Sequence, residues 1–324
     1  MNSSNINDDD FCIIFMGTPD FAVSSLEIIL KNNIKIAVVV TSPDKPAGRG
    51  LKLKTSPVKN YAIQHNIPIL QPHNLLDPLF ISQLKEYKPS LSVVVAFRIL
   101  PNEIFNIPKL GTINLHASLL PQYRGAAPIN RAIMNGEKIT GVTTFIIDKA
   151  IDTGKILMQE KIKIEDEETA GELHDRMKII GANLLFKTII AMKNNSITPI
   201  PQEYYITNNT ILKKAPKITK ADCIINWETG CINIFNQIRG LSPSPTAFTN
   251  LKINKEDKNI QIKIYKANYI FGDKRNEPGK IYTDGKTYLG IGAKDGIVFL
   301  KIIKPEGKNI MPIEAFLRGY KIIS

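Results

Sequence analysis

The chain has 324 residues, of which 43% are hydrophobic and 7% aromatic, and it carries a formal net charge of +12. These values are typical of a globular protein large enough for two domains, and no apolar run approaches the roughly 18–20 residues that span a bilayer. Cys12, Cys223 and Cys231 form neither a CxxC pair nor a metal-binding cluster, which favours reduced thiols, a cytoplasmic location and no metal site.

Residues 1–10 are polar and end in three aspartates. They have the pattern of neither a signal peptide nor an amphipathic transit peptide. We predict a disordered tail at 1–10 and a first domain that begins at residue 11.

Two continuous apolar runs, 11–16 and 34–40, flank a helical segment. Such runs are typical of strands buried on both faces, and the β-α-β order predicts a mostly parallel, Rossmann-like sheet. The intervening turn, 17–20, lacks the GxGxxG pattern, so dinucleotide binding is not indicated. Further strands are predicted over 67–70, 91–96, 141–147 and 156–164, the last at a sheet edge, and helices over 57–65, 75–87 and 169–194.

Residues 41–59 interrupt this pattern with two Gly, three Pro and five basic residues. We predict a long mobile loop, which is usually functional or disordered in a compact domain. A flexible basic loop suits a phosphate backbone, because it can become ordered on contact. The alternative is a solvated loop without a function. The basic residues are Lys45, Arg49, Lys52, Lys54 and Lys59.

The character of the chain changes after a Pro-, Asn- and Thr-rich stretch, 195–212, which predicts a linker between a first domain at 11–194 and a second at 213–324. Short apolar runs separated by Asp-Gly turns predict that the second domain is a small antiparallel β-barrel. Residues 1–205 contain 22 basic against 20 acidic residues, whereas 206–324 contain 20 against 10. A codon bias towards lysine would raise the charge everywhere, so this excess suggests a surface for a polyanion, with nucleic acid the first candidate.

Residues 111–128 carry polar side chains where a strand is predicted. Alternation along the strand places Asn114, His116 and Ser118 on one face, and Ile113 and Leu115 on the other. A lone histidine in such a position is more often structural. Here the amide two residues earlier and the strand-to-loop transition just after it favour a site.

An amide and an imidazolium can both donate to one developing oxyanion, and a nearby carboxylate can hold the imidazole and relay a proton. The sequence has no Gly-x-Ser-x-Gly motif and no positioned cysteine, so direct acyl transfer fits better than a covalent acyl-enzyme. Spacing alone does not identify the acid, because the loop 148–154 offers both Asp148 and Asp152.

Several long motifs, in order, resemble the methionyl-tRNA formyltransferase family, whose members use 10-formyltetrahydrofolate. The resemblance covers nearly the whole chain after the tail. The motifs are Phe15-Met16-Gly17-Thr18-Pro19-Asp20-Phe21, Pro43-Asp44-Lys45-Pro46-Ala47-Gly48-Arg49-Gly50, Asn114-Leu115-His116-Ala117-Ser118-Leu119-Leu120-Pro121, Arg124-Gly125-Ala126-Ala127-Pro128 and Asp152-Thr153-Gly154.

The resemblance implies a role for each matching position. Asn114, His116 and Asp152 match the catalytic set of the family. The folate-binding turn is matched by Ser118, Leu119, Leu120 and Pro121, with 97–100 lining the same pocket, and the tRNA-binding loop by Lys45, Arg49, Lys52 and Lys54. The second domain, 213–324, matches the OB-like barrel that binds tRNA in the family.

The implied reaction is transfer of a formyl group from 10-formyltetrahydrofolate, a co-substrate, to the amino group of methionyl-initiator tRNA, by a monomer that needs no metal or membrane. The segment 96–101 departs from the family pattern: it is a residue shorter than the commoner pattern and has Phe97 and Arg98 where Tyr and Gly are usual. A second departure is Lys155, which stands where the family often has an acid. Arg98 is predicted either to meet the glutamate tail of the folate or to point into solvent.

Two other classes of function compete with this expectation. A non-catalytic RNA-binding module would not need the Asn, His and Asp set. Related enzymes that formylate glycinamide ribonucleotide or sugar-nucleotide amines, or that hydrolyse formyl-folate, would need neither the basic loop nor the basic C-terminal domain.

Overall fold

The computed structural model describes residues 11–47, 52–207, 211–253, 258–272 and 277–322. In chain order the strands are β1 Cys12–Gly17, β2 Lys35–Val40, β3 Lys45–Ala47, β4 Lys52–Lys54, β5 Ile69–Leu70, β6 Leu91–Val95, β7 Thr112–His116, β8 Arg124–Gly125, β9 Ile139–Ile146, β10 Ile156–Lys163, β11 Lys214–Ala215, β12 Ala247–Ile253, β13 Lys258–Phe271, β14 Ile281–Thr283, β15 Leu289–Ala293, β16 Gly296–Pro305 and β17 Met311–Pro312. The helices are α1 Asp20–Lys31, α2 Pro57–Gln64, α3 Pro78–Glu86, α4 Asn102–Phe105, α5 Pro128–Met134, α6 Ala170–Lys193, α7 Cys231–Leu241 and α8 Ile313–Gly319, with 3₁₀ turns at Gln202–Tyr205 and Ala221–Cys223. No helix in these ranges is long and apolar enough to cross a bilayer.

Backbone contacts divide the chain into two compact units. The first comprises the described residues up to Gly125 together with Thr140–Ile162 and His174–Lys214. The second comprises Ala126–Ile139, Lys163–Leu173 and the described residues from Ala215 onward. The contiguous boundaries suggested by the sequence, 11–194, 195–212 and 213–324, stay a prediction, and the predicted tail at 1–10 lies outside the described residues.

The first unit is built on a seven-stranded sheet with the order β10-β9-β7-β6-β1-β2-β5. The central strand β1 pairs in parallel with β2 and β6, and β6 pairs in parallel with β7. Only apolar side chains tolerate burial on both faces of such a strand, and every residue of β1 is buried. The predicted mostly parallel sheet is confirmed, as is the edge position of β10.

The 41–59 segment differs from the predicted long loop. β3 and β4 pair as an antiparallel hairpin, with Lys45 opposite Lys54. The alternation Lys52-Leu53-Lys54 is a strand signal, which the surrounding Gly and Pro residues obscured. The helix α2 then begins at Pro57, where Ser56 Oγ accepts a hydrogen bond from the Lys59 amide as an N-cap.

The second unit is an antiparallel sheet with the order β12-β13-β16-β15-β14, and β17 pairs with β16. The register of the long strand β13 shifts around Lys266, and such irregularities bend a sheet. The sheet curls over an apolar core that includes Ile234 and Ile238 of α7 and Phe316 of α8. The predicted OB-like β domain is confirmed, although β12 and α8 were not predicted.

Candidate active site

Strand β7 carries Asn114 and His116, whereas Ser118 lies beyond the end of the strand at His116. Ile113 and Leu115 are buried at 0% and 3% exposure, which confirms the predicted apolar face. β7 pairs in parallel with β6 and antiparallel with β9, where Asn114 is opposite Phe145. The Asn114 carboxamide is half-buried and makes no side-chain hydrogen bond within the described part of the chain. Its N–H and C=O groups are therefore available to a ligand.

The His116 ring is buried and held in one orientation. Its Nε2 atom lies 2.9 Å from the carbonyl oxygen of Tyr123. Because a carbonyl can only accept, Nε2 must carry a hydrogen and donate it. The other ring nitrogen, Nδ1, lies 3.8 Å from Oδ2 of Asp152, which is too long for a hydrogen bond but within ion-pair range when the ring is protonated.

Asp152 reaches His116 from the loop between β9 and β10. Its backbone has a φ of 56°, in the left-handed region that few non-glycine residues adopt. The backbone amide of Gly125 donates to Oδ2 at 2.9 Å and fixes the carboxylate. Two positions later, Gly154 cannot be replaced without movement, because a Cβ there would lie 1.7 Å from the carbonyl oxygen of Ile146.

The other acid of this loop has a different environment. Asp148 is exposed, and its Oδ1 accepts hydrogen bonds from the Ala150 amide and from Thr153 Oγ1. Asp148 therefore closes the loop on itself, while Asp152 faces the histidine. Of the two acids that spacing left open, Asp152 is the one that lies near His116; which of them acts in a reaction stays a prediction.

Hydrogen bonds to buried groups fix the turn 118–121, which is predicted to bind folate. Ser118 is fully buried and its hydroxyl donates to the carbonyl oxygen of Gln122 at 2.6 Å. Thr143 Oγ1 donates to the Ser118 carbonyl oxygen and accepts from the Leu120 amide. Leu120 and Pro121 are buried and Leu119 is half-buried. The Ser118 hydroxyl therefore shapes the turn, and a role for 118–121 in binding a ligand stays a prediction.

Arg98 is held against the protein and does not simply point into solvent, and its contact with the glutamate tail of the folate stays a prediction. Its Nη2 donates to the carbonyl oxygen of Pro72 at 2.8 Å and its Nη1 to that of His73 at 3.1 Å. Its guanidinium also lies over the Phe97 ring, 5.1 Å from the centroid. Desolvation lowers the pKa of Arg98. The side chain thus links the segment after β6 to the segment after β5.

Three consecutive residues that sequence analysis did not assign connect the parts of the site. Tyr123 accepts from His116, Arg124 donates to the side chain of Gln202, and Gly125 donates to Asp152. The Arg124-Gly125 motif contributes to the family resemblance but predicts no role by itself, and the Pro- and Asn-rich composition around Gln202 gives no signal for that residue.

The predicted tRNA-binding residues Lys45, Lys52 and Lys54 lie on the strands of the β3–β4 hairpin. The side chains of Lys45 and Lys54 are exposed and Lys52 is part of β4, whereas Arg49 is outside the described residues. Lys59 is engaged differently, since its Nζ lies 2.5 Å from Asp44 Oδ2 at the base of the hairpin. Hydrogen bonds from Lys59 and then Gln71 lower the pKa of Asp44.

The cysteines do not contribute a nucleophile to this site. All three are buried and free, and desolvation together with Asp295 raises the pKa of Cys231 to about 12. Within the described ranges, no three His, Cys, Asp or Glu side chains are arranged to hold a metal ion.

Comparison with known proteins connects this geometry to a family. Residues 11–189 match the family described as formyl transferase, and residues 217–321 match the formyl transferase C-terminal domain. The chain is 42% identical over 314 residues to a methionyl-tRNA formyltransferase of Bacteroides thetaiotaomicron, covering 97% of each protein. It is 46% identical over 311 residues to that of Thermodesulfovibrio yellowstonii, covering 96% of each.

A solved structure with a similar fold is the N-formyltransferase of Helicobacter canadensis in complex with folinic acid and dTDP-3-aminofucose. The two share 25% identity with a TM-score of 0.66, over 90% of this chain and 98% of that one. The likeness extends over both units of the chain.

Proposed function

Because the chain belongs to the methionyl-tRNA formyltransferase family, we propose that Asn114, His116 and Asp152 are its catalytic residues. The enzyme transfers the formyl group of 10-formyltetrahydrofolate to the free amino group of methionyl-initiator tRNA, which gives N-formylmethionyl-tRNA for translation initiation. The assignment rests on one observation: the Nδ1 edge of His116 faces Asp152. His116 lies on the same face of β7 as Asn114.

The chemistry follows from the hydrogen bonds of the site. The methionyl amine attacks the formyl carbon on N10 of the folate, and the carbonyl oxygen becomes an oxyanion. The Asn114 amide N–H is free to donate to it. His116 can donate from Nδ1 once that atom is protonated, since Nε2 is committed to Tyr123, and the Asp152 carboxylate then forms an ion pair with the ring.

Proton transfer is assigned to Asp152. Its Oδ2 is occupied by the Gly125 amide, whereas no described residue donates to Oδ1. Oδ1 can therefore take the proton that the amine loses and return it to the leaving N10. No covalent enzyme intermediate is needed, which agrees with the burial of all three cysteines.

We assign folate to the turn 118–121 and tRNA to the β3–β4 hairpin and the basic C-terminal unit. Support for the hairpin comes from its exposed Lys45 and Lys54, because a tRNA acceptor stem is a dense array of phosphates. The 10-formyl form of the folate, a monomeric state and a cytoplasmic location belong to the same proposal.

The most direct test compares acceptors at equal concentration. Purified enzyme with 10-formyltetrahydrofolate should formylate charged initiator methionyl-tRNA much faster than charged elongator methionyl-tRNA, and a sugar-nucleotide amine should remain unmodified. If the sugar nucleotide were formylated faster than either tRNA, the acceptor would be a sugar-nucleotide amine and not methionyl-tRNA. If no acceptor were formylated, an enzymatic role would be contradicted.

A further inference from the structure

Gln202 is a buried glutamine in a stretch whose neighbours are exposed. It begins the 3₁₀ turn that follows Pro201, and it is 1% exposed, whereas residues 203–206 are exposed. A buried carboxamide is unfavourable unless each of its polar groups finds a partner. The position also lies between the two segments that match the family, 11–189 and 217–321.

All four hydrogen-bonding positions of the Gln202 side chain are used. Its Nε2 donates to the carbonyl oxygens of Asp152 and Gly154 at 2.9 and 2.8 Å. Its Oε1 accepts from Nε and Nη2 of Arg124 at 3.0 and 2.6 Å. A glutamine has two N–H groups and one carbonyl oxygen with two lone pairs, so the side chain is fully satisfied.

These hydrogen bonds fix residues 152–154 of the loop between β9 and β10. Asp152 has a left-handed backbone, and the preceding residues 148–151 are exposed, so they add little packing. One carboxamide binds the carbonyl oxygens on both sides of Thr153. The segment that carries Gln202 is itself fixed, because Ile200 and Ile156 exchange backbone hydrogen bonds of 2.8 Å in both directions.

The same bonds orient the carboxylate. Arg124 binds Gln202, and the next residue, Gly125, donates its amide to Oδ2 of Asp152. Asp152 is thereby held at its backbone carbonyl through Gln202 and at its side chain through Gly125. Loss of the Gln202 bonds would free the loop backbone and change the direction in which the carboxylate faces His116.

We propose that Gln202 is a positioning residue that fixes the loop of Asp152 so that its carboxylate faces His116. The inference rests on the proposed catalytic role of Asp152. A purely structural role for Gln202 would lower stability without acting through Asp152, and the experiment must separate the two.

The test is a double-mutant cycle with Gln202→Met and Asp152→Asn. Methionine matches glutamine in length and removes all four hydrogen bonds. We expect Gln202→Met to lower kcat about 10- to 100-fold, as for a misplaced catalytic group, while KM for folate and for tRNA changes less than about twofold. In the Asp152→Asn background the same substitution should have almost no further effect on kcat, because the group it positions is gone.

Gln64→Met is the matched control, since Gln64 is exposed on α2 and far in sequence from the loop. It should leave kcat and both KM values unchanged. Assays are run below the thermal unfolding midpoint of every variant. Should Gln202→Met fail to fold, Gln202→Glu provides the same comparison, because it keeps the volume and the acceptor for Arg124 but loses both donors to the loop.

The outcomes distinguish this proposal from the function on which it rests. Full activity of Asp152→Asn alone would overturn the catalytic role of Asp152. An impaired Asp152→Asn combined with a normal kcat in Gln202→Met, or with losses that multiply in the double variant, would overturn the positioning role of Gln202 only.

Discussion

His116 Nδ1 lies 3.8 Å from Asp152 Oδ2, and the opposite nitrogen of the same ring is 2.9 Å from the Tyr123 carbonyl oxygen. The ring therefore cannot rotate towards a substrate without losing the bond to Tyr123. Its position relative to Asp152 is set by the protein before any ligand arrives. Pre-organisation of this kind is what transition-state stabilisation requires, because no reorganisation is then needed during the reaction.

Replacing Asp152 by Asn should remove the proton acceptor and the counter-charge of His116 while keeping the shape of the side chain. We expect the single-turnover formylation rate to fall about 10²-fold or more, within the range for a general acid–base group. Asp148→Asn is the matched control on the same loop, because its carboxylate is exposed and, among the described residues, accepts hydrogen bonds from Ala150 and Thr153 alone. Near-normal activity of Asp152→Asn with a strong loss in Asp148→Asn would exchange the two roles.

Asn114→Ala should remove one donor to the oxyanion. The expected loss is about 10²- to 10³-fold in the chemical step, or about 3–4 kcal/mol, as for one oxyanion-hole donor. Rapid-quench formylation under single-turnover conditions measures it, and folate binding by fluorescence should change little. Asn183→Ala, at an exposed position on α6, should behave as wild type. A single-turnover rate for Asn114→Ala within a few-fold of wild type would refute the assignment.

The combined variant Lys45→Ala and Lys54→Ala tests the hairpin. Because each lysine is proposed to neutralise a tRNA phosphate, KM for tRNA should rise, and the slope of log(kcat/KM) against log[salt] should become shallower by about 1–2. The KM for folate should stay constant. Lys187→Ala, on the exposed face of α6, removes a positive charge elsewhere in the same unit and serves as control. An unchanged salt slope in the hairpin variant would exclude these lysines from the tRNA contact.

The parts of this protein that could be predicted from sequence are those with a periodic or compositional signal. Strand β1 was predictable because burial on both faces demands an unbroken apolar run, and all of its residues are buried. The face of β7 that carries Asn114 and His116 followed from simple alternation. The identity of the family followed from motifs and not from physical reasoning about the sheet.

The contacts that complete the site had no such signal. The choice between Asp148 and Asp152 depends on how the loop folds back towards Gly125, a contact across 27 positions. The Gln202 bonds span 48–78 positions and involve a single buried amide in a stretch with the composition of a linker. The sequence did not predict the hairpin β3–β4 because Pro46, Gly48 and Gly50 interrupt the pattern around its strands, although Lys52-Leu53-Lys54 alternates.

The second unit contains an ion pair, between Arg131 and Asp222, whose contribution to stability depends on pH. A hydrogen bond from Arg131, followed by one from the Thr219 amide, lowers the pKa of Asp222 from 3.8 to about 2. The folded state thus binds the proton more weakly than the unfolded state, so the Asp222 carboxylate stabilises the fold at every pH above about 4. That contribution is lost as the pH falls from about 4 to about 2.

Asp222→Asn should therefore lower the free energy of unfolding by about 1–2 kcal/mol at pH 7, since the pair with Arg131 is 2.9 Å long and mostly shielded from solvent. The difference from wild type should shrink below pH 4 and vanish near pH 2, as measured by denaturant titration across this range. Asp166→Asn, which breaks a largely exposed pair with Lys138, should change little at any pH. A penalty for Asp222→Asn that is the same at pH 7 and pH 2.5 would show that shape, and not charge, makes Asp222 stabilising.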